Sequence, residues 1–196
     1  MNILCFNCRG LGETQVVADL CSLMRRNSRK IIFLSETKRS GAKMDIVRRK
    51  LGNFFAVYVD SHGRAGGLAL LWEKMVKLIL CSFSTHHMDA SICWEGDTEE
   101  WRFTGVYGWS ETHNKFKTGH LITDLSSHSQ LQWVVGGDLN EIFYHSGNVA
   151  ALQNRSFTLI HFVMPLLTMV SMIWDSKATT THRADGITGR LWWKNA

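Results

Sequence analysis

The chain has 196 residues, 45% hydrophobic and 20% charged, which excludes a disordered protein and allows one domain with a real core. No apolar run approaches the ~20 residues of a membrane span. Met1-Asn2-Ile3-Leu4 lacks the basic n-region of a secretory leader, so an intracellular protein without a membrane partner is expected. The net charge of +5 points only weakly to a polyanion, because residues 1–146 hold 17 Lys/Arg against 15 Asp/Glu and residues 147–196 hold 5 against 2.

Asn2 to Phe6 reads as a short apolar strand, ending at the polar turn Asn7-Cys8-Arg9-Gly10-Leu11-Gly12. Thr14 to Arg26 places Val17, Leu20, Cys21 and Met24 at helical spacing. Ile31 to Leu34 is a continuous apolar strand followed by Ser35-Glu36-Thr37-Lys38, and Met44 to Leu51 reads as a second amphipathic helix. Phe54 to Val59 alternates like a strand, Gly63 to Gly67 reads as a turn, and Leu68 to Trp72 as the next strand. Val76 to Phe83, Ala90 to Trp94 and Trp101 to Val106 follow as strands, the last exiting at Tyr107-Gly108. Lys115 to Leu125 can form a helix before a buried strand at Trp133 to Val135. Gly136-Gly137 would then turn the backbone into Asp138-Leu139-Asn140-Glu141. The order β-α-β-α-β-β-β-β-β-α-β predicts a layered α/β protein with antiparallel strands.

Five scattered cysteines (Cys5, Cys8, Cys21, Cys81, Cys93) complete no zinc site and read as buried free thiols, although Cys5 and Cys8 have C-x-x-C spacing. Four strand ends share a different pattern. Asn7, Glu36, Tyr107, and Asp138 with Asn140 each place polar chemistry directly after an apolar run. Carboxylates and amides at neighbouring strand ends can converge on a hard cation such as Mg2+, which favours oxygen ligands and supports attack by water on a phosphate. The plain alternative is that strand ends are polar because turns are.

Taken together, the blocks Asn7-Cys8-Arg9-Gly10-Leu11-Gly12, Phe33-Leu34-Ser35-Glu36-Thr37-Lys38, Gly63 to Trp72, Gly105-Val106-Tyr107-Gly108 and Gly137-Asp138-Leu139-Asn140-Glu141 resemble the endonuclease/exonuclease/phosphatase superfamily. More narrowly, they resemble the apurinic-type endonuclease domain of plant LINE-type non-LTR retrotransposons. The resemblance implies a DNase I-like four-layer α/β sandwich, with the first sheet and part of the second supplied by residues 1–146. It implies Mg2+ (or Mn2+) as cofactor and DNA as partner, with no small-molecule cofactor, and a reaction that nicks a DNA strand to leave a 3′-hydroxyl. Glu36 would be the principal metal ligand, with Asn7 beside it. Tyr107 would donate to the scissile phosphate, Asp138 would position and help deprotonate the attacking water, and Asn140 would hold the phosphate in line. His86 and His87 match no motif of the family and read as surface loop residues.

The resemblance breaks after Ser146. The family carries a catalytic histidine in a Ser-Asp-His segment near the domain's C-terminus, and this chain has no such segment. His161 and His182 are its only histidines after residue 146. Read in a neighbouring frame with permitted codons, the bases for Gly147 to Thr181 can spell K-C-G-G-P-P-K-S-Q, then F-R-D-A-F, then Y-D-L-G-F-K-G-Y, which is the family's usual continuation. A single-base deletion just after Ser146 is therefore expected, leaving 147–196 as a frameshifted tail. The expected consequences are impaired catalysis, weak or lost DNA binding, and a nuclear location only if the domain works. A non-enzymatic remnant and a superfamily phosphatase are the alternatives.

Overall fold

The computed structural model describes residues 2–27, 30–63, 65–140, 157–161 and 171–173. The N-terminal half builds β1 (Asn2–Asn7), α1 (Thr14–Asn27), β2 (Ile31–Ser35), α2 (Gly41–Leu51), β3 (Phe54–His62) and β4 (Ala65–Glu73). Then come β5 (Val76–Phe83), β6 (His87–Trp94), β7 (Glu100–Tyr107), α3 (Phe116–Ser126) and β8 (Gln132–Asp138). Two short strands, β9 (Phe157–His161) and β10 (Ser171–Ile173), complete the described elements. The strands form two five-stranded sheets, ordered β10-β1-β2-β4-β3 and β5-β6-β7-β8-β9.

Burial explains the layers. β2 is apolar on both faces and buried throughout, which suits a central strand covered from two sides. Its Ile32 and Leu34 pack outward against Leu20, Met24, Met44 and Val47 of α1 and α2. Ile31 and Phe33 point the other way, into a core shared with Ala90, Ile92 and Phe103 of the second sheet. On the far side, Ile122 and Leu125 of α3 cover Val106, Trp133 and Val135. The result is helix, sheet, sheet, helix, a DNase I-like four-layer α/β sandwich. Among the described residues no helix is long and apolar enough to cross a membrane.

Several elements depart from the sequence reading. β9 pairs parallel with β8 and β10 antiparallel with β1, so two tail segments join the sheets that residues 1–146 were expected to leave short. The rest of the 147–196 tail, His182 included, lies outside the described residues. Of the glycines expected to turn, Gly63 does so, while Gly66, Gly67, Gly136 and Gly137 are strand residues. Gly66 and Gly67 belong to β4, and their carbonyls accept the N–H groups of Lys38 (3.0 Å) and Thr37 (3.1 Å). Gly67 needs its φ of +86° to do this, and a Cβ there would strike the Thr37 hydroxyl. β6 begins at His87, three residues earlier than expected, which overturns the surface-loop reading of that histidine. His87 is buried between the hydroxyls of Ser82 (3.0 Å) and Ser84 (2.9 Å), and burial lowers its pKa.

The cysteines are free thiols, but only Cys5 and Cys8 are buried, and Cys81 is exposed on the edge strand β5. Burial pushes the Cys5 thiol up to about 12 and raises Cys8 as well, so both are held protonated and unreactive.

Gly137, in β8, was expected to turn the chain, yet it serves close approach. At φ +139° its α-carbon lies so near β7 that a Cβ would meet the Val106 carbonyl oxygen. Backbone has no rotamer with which to retreat. Gly137→Ala is expected to cost roughly 2 kcal/mol or more, from strain and overpacking together. Urea unfolding followed by circular dichroism would read it, and an unchanged midpoint would contradict the close packing of β7 on β8.

Candidate active site

Parallel pairing aligns the strand ends. Asn7 of β1 is level with Ser35 of β2, and Tyr107 of β7 is level with Asp138 of β8. The two sheets face each other, so both carboxyl edges open on one place. There the Asn7 side-chain amide donates to Glu36 Oε1 at 3.0 Å and to Asp138 Oδ2 at 2.6 Å. One amide thus clasps two carboxylates that come from different sheets. Its own oxygen accepts the Arg9 N–H at 3.0 Å, so the amide's orientation is fixed from both ends.

The other expected residues complete the cluster. Tyr107 lies close enough to Glu36 to feel its charge. Burial, and then the negative charge of Glu36, push its phenol up to about 12, so at neutral pH it is a hydroxyl that donates. Asn140 donates its backbone N–H to Asp138 Oδ1 at 3.1 Å and its side-chain amide to the Gly108 carbonyl at 2.7 Å. Asn7, Glu36, Tyr107, Asp138 and Asn140 therefore form one connected network.

The backbone is strained here. Arg9, Glu36, Lys38 and Asn140 are the non-glycine residues with positive φ among those described, at 48°, 51°, 52° and 47°. Each such conformation costs of order 1 kcal/mol and survives only where surrounding contacts enforce it. Two of the four are network residues, and the other two flank them in sequence. For Lys38 the enforcing contact is the bond from its N–H to Gly66, which explains why a glycine pair sits in a strand.

The charges suit a divalent cation. Two carboxylates meet around a neutral amide, and the ion pair on them is Lys38 Nζ to Glu36 Oε2, a loose 3.6 Å. An acidic pair with surplus negative charge and oxygen donors fits a hard divalent cation, of the kind that binds through one or two carboxylates and keeps several waters. Among the described residues no group of three or more His, Cys, Asp or Glu side chains is placed to hold a metal ion, so the carboxylates that meet here are Glu36 and Asp138.

The sequence singled out neither Lys38 nor Trp109, and it read His86 as a surface loop residue; His86 is in the β5–β6 loop but half-buried at the site. Lys38 faces Glu36, and the half-buried rings of His86 and Trp109 stand beside Tyr107. The signal for Lys38 lay in its place two residues after Glu36. None existed for His86, which reaches the site from a hairpin loop 21 residues away in sequence from Tyr107.

A family model described as Endonuclease/Exonuclease/phosphatase family matches residues 1–195, passing the boundary at 146 where the motif blocks end. Solved structures share the fold. A humanized D. rerio TDP2 superposes with a TM-score of 0.57 at 15% identity, over 79% of this chain and 71% of that one. D. rerio TDP2 complexed with a single strand DNA product gives 0.57 at 14% identity, over 78% and 64%. The Bacteroides thetaiotaomicron mannosyl-6-phosphatase gives 0.58 at 10% identity, over 78% and 70%. No curated protein sequence matches the chain.

Proposed function

The chain belongs to the endonuclease/exonuclease/phosphatase family, and from that premise we propose that it is a retrotransposon-derived, Mg2+-dependent DNA endonuclease domain that is catalytically impaired. The observation that carries the reading is the Asn7 clasp, which brings Glu36 and Asp138 together within hydrogen-bond reach of one amide. Enzymes of this family generally use divalent metal ions. Glu36 would hold the ion here, with Asn7 fixing its carboxylate. When bound, Mg2+ supplies charge neutralisation of the phosphate and a more acidic water.

The chain's own residues do the rest. Asp138, oriented by Asn7 and by the Asn140 N–H, takes the proton of the attacking water. Tyr107, kept protonated, donates to a phosphate oxygen as charge develops on it. Asn140, tied to Gly108, holds the phosphate in line. The water oxygen bonds to phosphorus as the P–O3′ bond breaks, and the leaving 3′-oxygen takes a proton from solvent, so the products are a 3′-hydroxyl and a 5′-phosphate.

The plant LINE branch is favoured over the phosphatases by the block Gly66-Gly67-Leu68-Ala69-Leu70-Leu71-Trp72. Impairment follows from the missing Ser-Asp-His segment and from the frameshift proposed after Ser146, with 1–146 as the inherited part and 147–196 as the altered tail. A working domain of this kind would act in the nucleus.

Metal binding tests the site apart from turnover. Millimolar Mg2+ at constant ionic strength is expected to raise Tm by about 3 °C or more in the unaltered chain. Glu36→Ala should remove the rise. An equal rise in the variant, or none in the unaltered chain, would sink the assignment of Glu36 as metal ligand.

A further inference from the structure

Three rings stand in near-parallel planes beside the carboxylates. The His86 ring lies 3.6 Å from that of Trp109, centroid to centroid, with 17° between planes. It lies 6.2 Å from the Tyr107 ring at 8°. Backbone bonds fix the group. The Tyr107 N–H donates to the His86 carbonyl at 2.8 Å, and His86 Nδ1 lies 2.8 Å from the Tyr107 carbonyl oxygen. A carbonyl can only accept, so Nδ1 carries a proton, and the ring's orientation is set. The Trp109 backbone N–H donates to the buried hydroxyl of Thr118 at 3.1 Å, which anchors the chain at this residue.

Tyr107 packs against the inter-sheet core, but the other two rings do not. Neither His86 nor Trp109 belongs to any of the three apolar clusters, and both are half-buried. The wall rises from the second sheet, from the β5–β6 loop and the end of β7. From the first sheet's strand ends come the exposed cations Arg9 and Lys38. The carboxylates lie between. Cations to follow a phosphate backbone and flat rings to take a base are the two parts of a single-strand binding groove.

We propose that the Trp109–His86 wall is a nucleobase subsite, taking the base next to the phosphate that Tyr107 holds and favouring unpaired over paired bases. This rests on the nucleic-acid reading above and adds a determinant outside the catalytic network. Double-stranded DNA hides base faces in its stack, so only a frayed, bulged or single-stranded nucleotide can use the wall.

The test is binding, which does not depend on turnover. Fluorescence anisotropy would follow an end-labelled single-stranded DNA 12-mer, and the same sugar-phosphate chain with abasic tetrahydrofuran units, in Ca2+. Trp109→Ala is expected to weaken binding of the base-bearing oligomer roughly tenfold and that of the abasic chain by less than about twofold. Trp109→Phe should recover most of the loss, and matched thermal melts would establish that both variants fold. Equal weakening of both oligomers by Trp109→Ala, or of neither, overturns the subsite and leaves the nucleic-acid reading standing. Failure of the unaltered chain to bind either oligomer overturns the subsite and is the lost DNA binding expected of an impaired domain.

Discussion

Restoring the family reading frame after Ser146 is expected to raise plasmid nicking by roughly 10^3-fold or more over the present chain, because catalytic groups act as a unit and losing one costs orders of magnitude. The first 140 residues already bring Asn7, Glu36, Tyr107, Asp138 and Asn140 into one network. What they lack is a group that exchanges a proton near pH 7. Among the described residues no histidine bonds either carboxylate; His86 is engaged through Nδ1 with the Tyr107 carbonyl, and His87 is buried between two serines. Inserting one base would replace the tail by the continuation that carries the Ser-Asp-His segment. Glu36→Ala in the restored chain should abolish the gain, which ties it to this site. A restored chain that nicks no faster would refute both the frameshift and the account of impairment.

Removing Arg102 is expected to cost about 3–5 kcal/mol, a large share of the stability of a domain this size. Arg102 and Asp89 are each 3% exposed in their side chains and form a bidentate pair at 2.8 and 2.9 Å. The guanidinium also donates to the Leu125 carbonyl of α3 at 2.7 Å and lies over the Trp133 ring at 4.7 Å. Asp89 takes a further bond from Thr104 at 2.5 Å. Arg102→Leu leaves that carboxylate buried with one hydroxyl to satisfy it and cuts the tie between β7 and α3. The double change Arg102→Leu with Asp89→Leu removes the charge as well, and should recover much of the loss because apolar replacement of a whole buried pair is often neutral. Urea midpoints would measure both. A single variant less than about 1 kcal/mol down would show that the pair is not confined as drawn.

The sequence made the strands legible where both faces are buried. Ile31 to Leu34 and Trp133 to Val135 are apolar runs that only a covered strand can use, and both lie in the two sheets as expected. Helix periodicity located α1 and α3 to within a residue or two at their ends. Glycine misled, because it signals either a turn or a close approach; Gly67 and Gly137 are the second kind, and Gly66 has open space around it and only a positive φ of +70° to mark it. Asp89 and Arg102 alternate with apolar neighbours and so look like an outer, wet face; α3 covers that face, and nothing local announces the cover. The site residues were recognisable one by one at strand ends. Their convergence was expected from the shared pattern, but not the contact that achieves it, since the Asn7–Asp138 bond spans 131 residues and depends on how two sheets are stacked. The His86–Trp109 stack was illegible for the same reason.

The most direct test of the central claim is a nicking assay on supercoiled plasmid with Mg2+, comparing the present chain with Glu36→Ala and Asp138→Ala. An inherited but impaired site predicts no nicking above that of the two variants. Nicking by the unaltered chain that both substitutions abolish would mean that the site is complete as it stands, and would contradict the proposed loss of function.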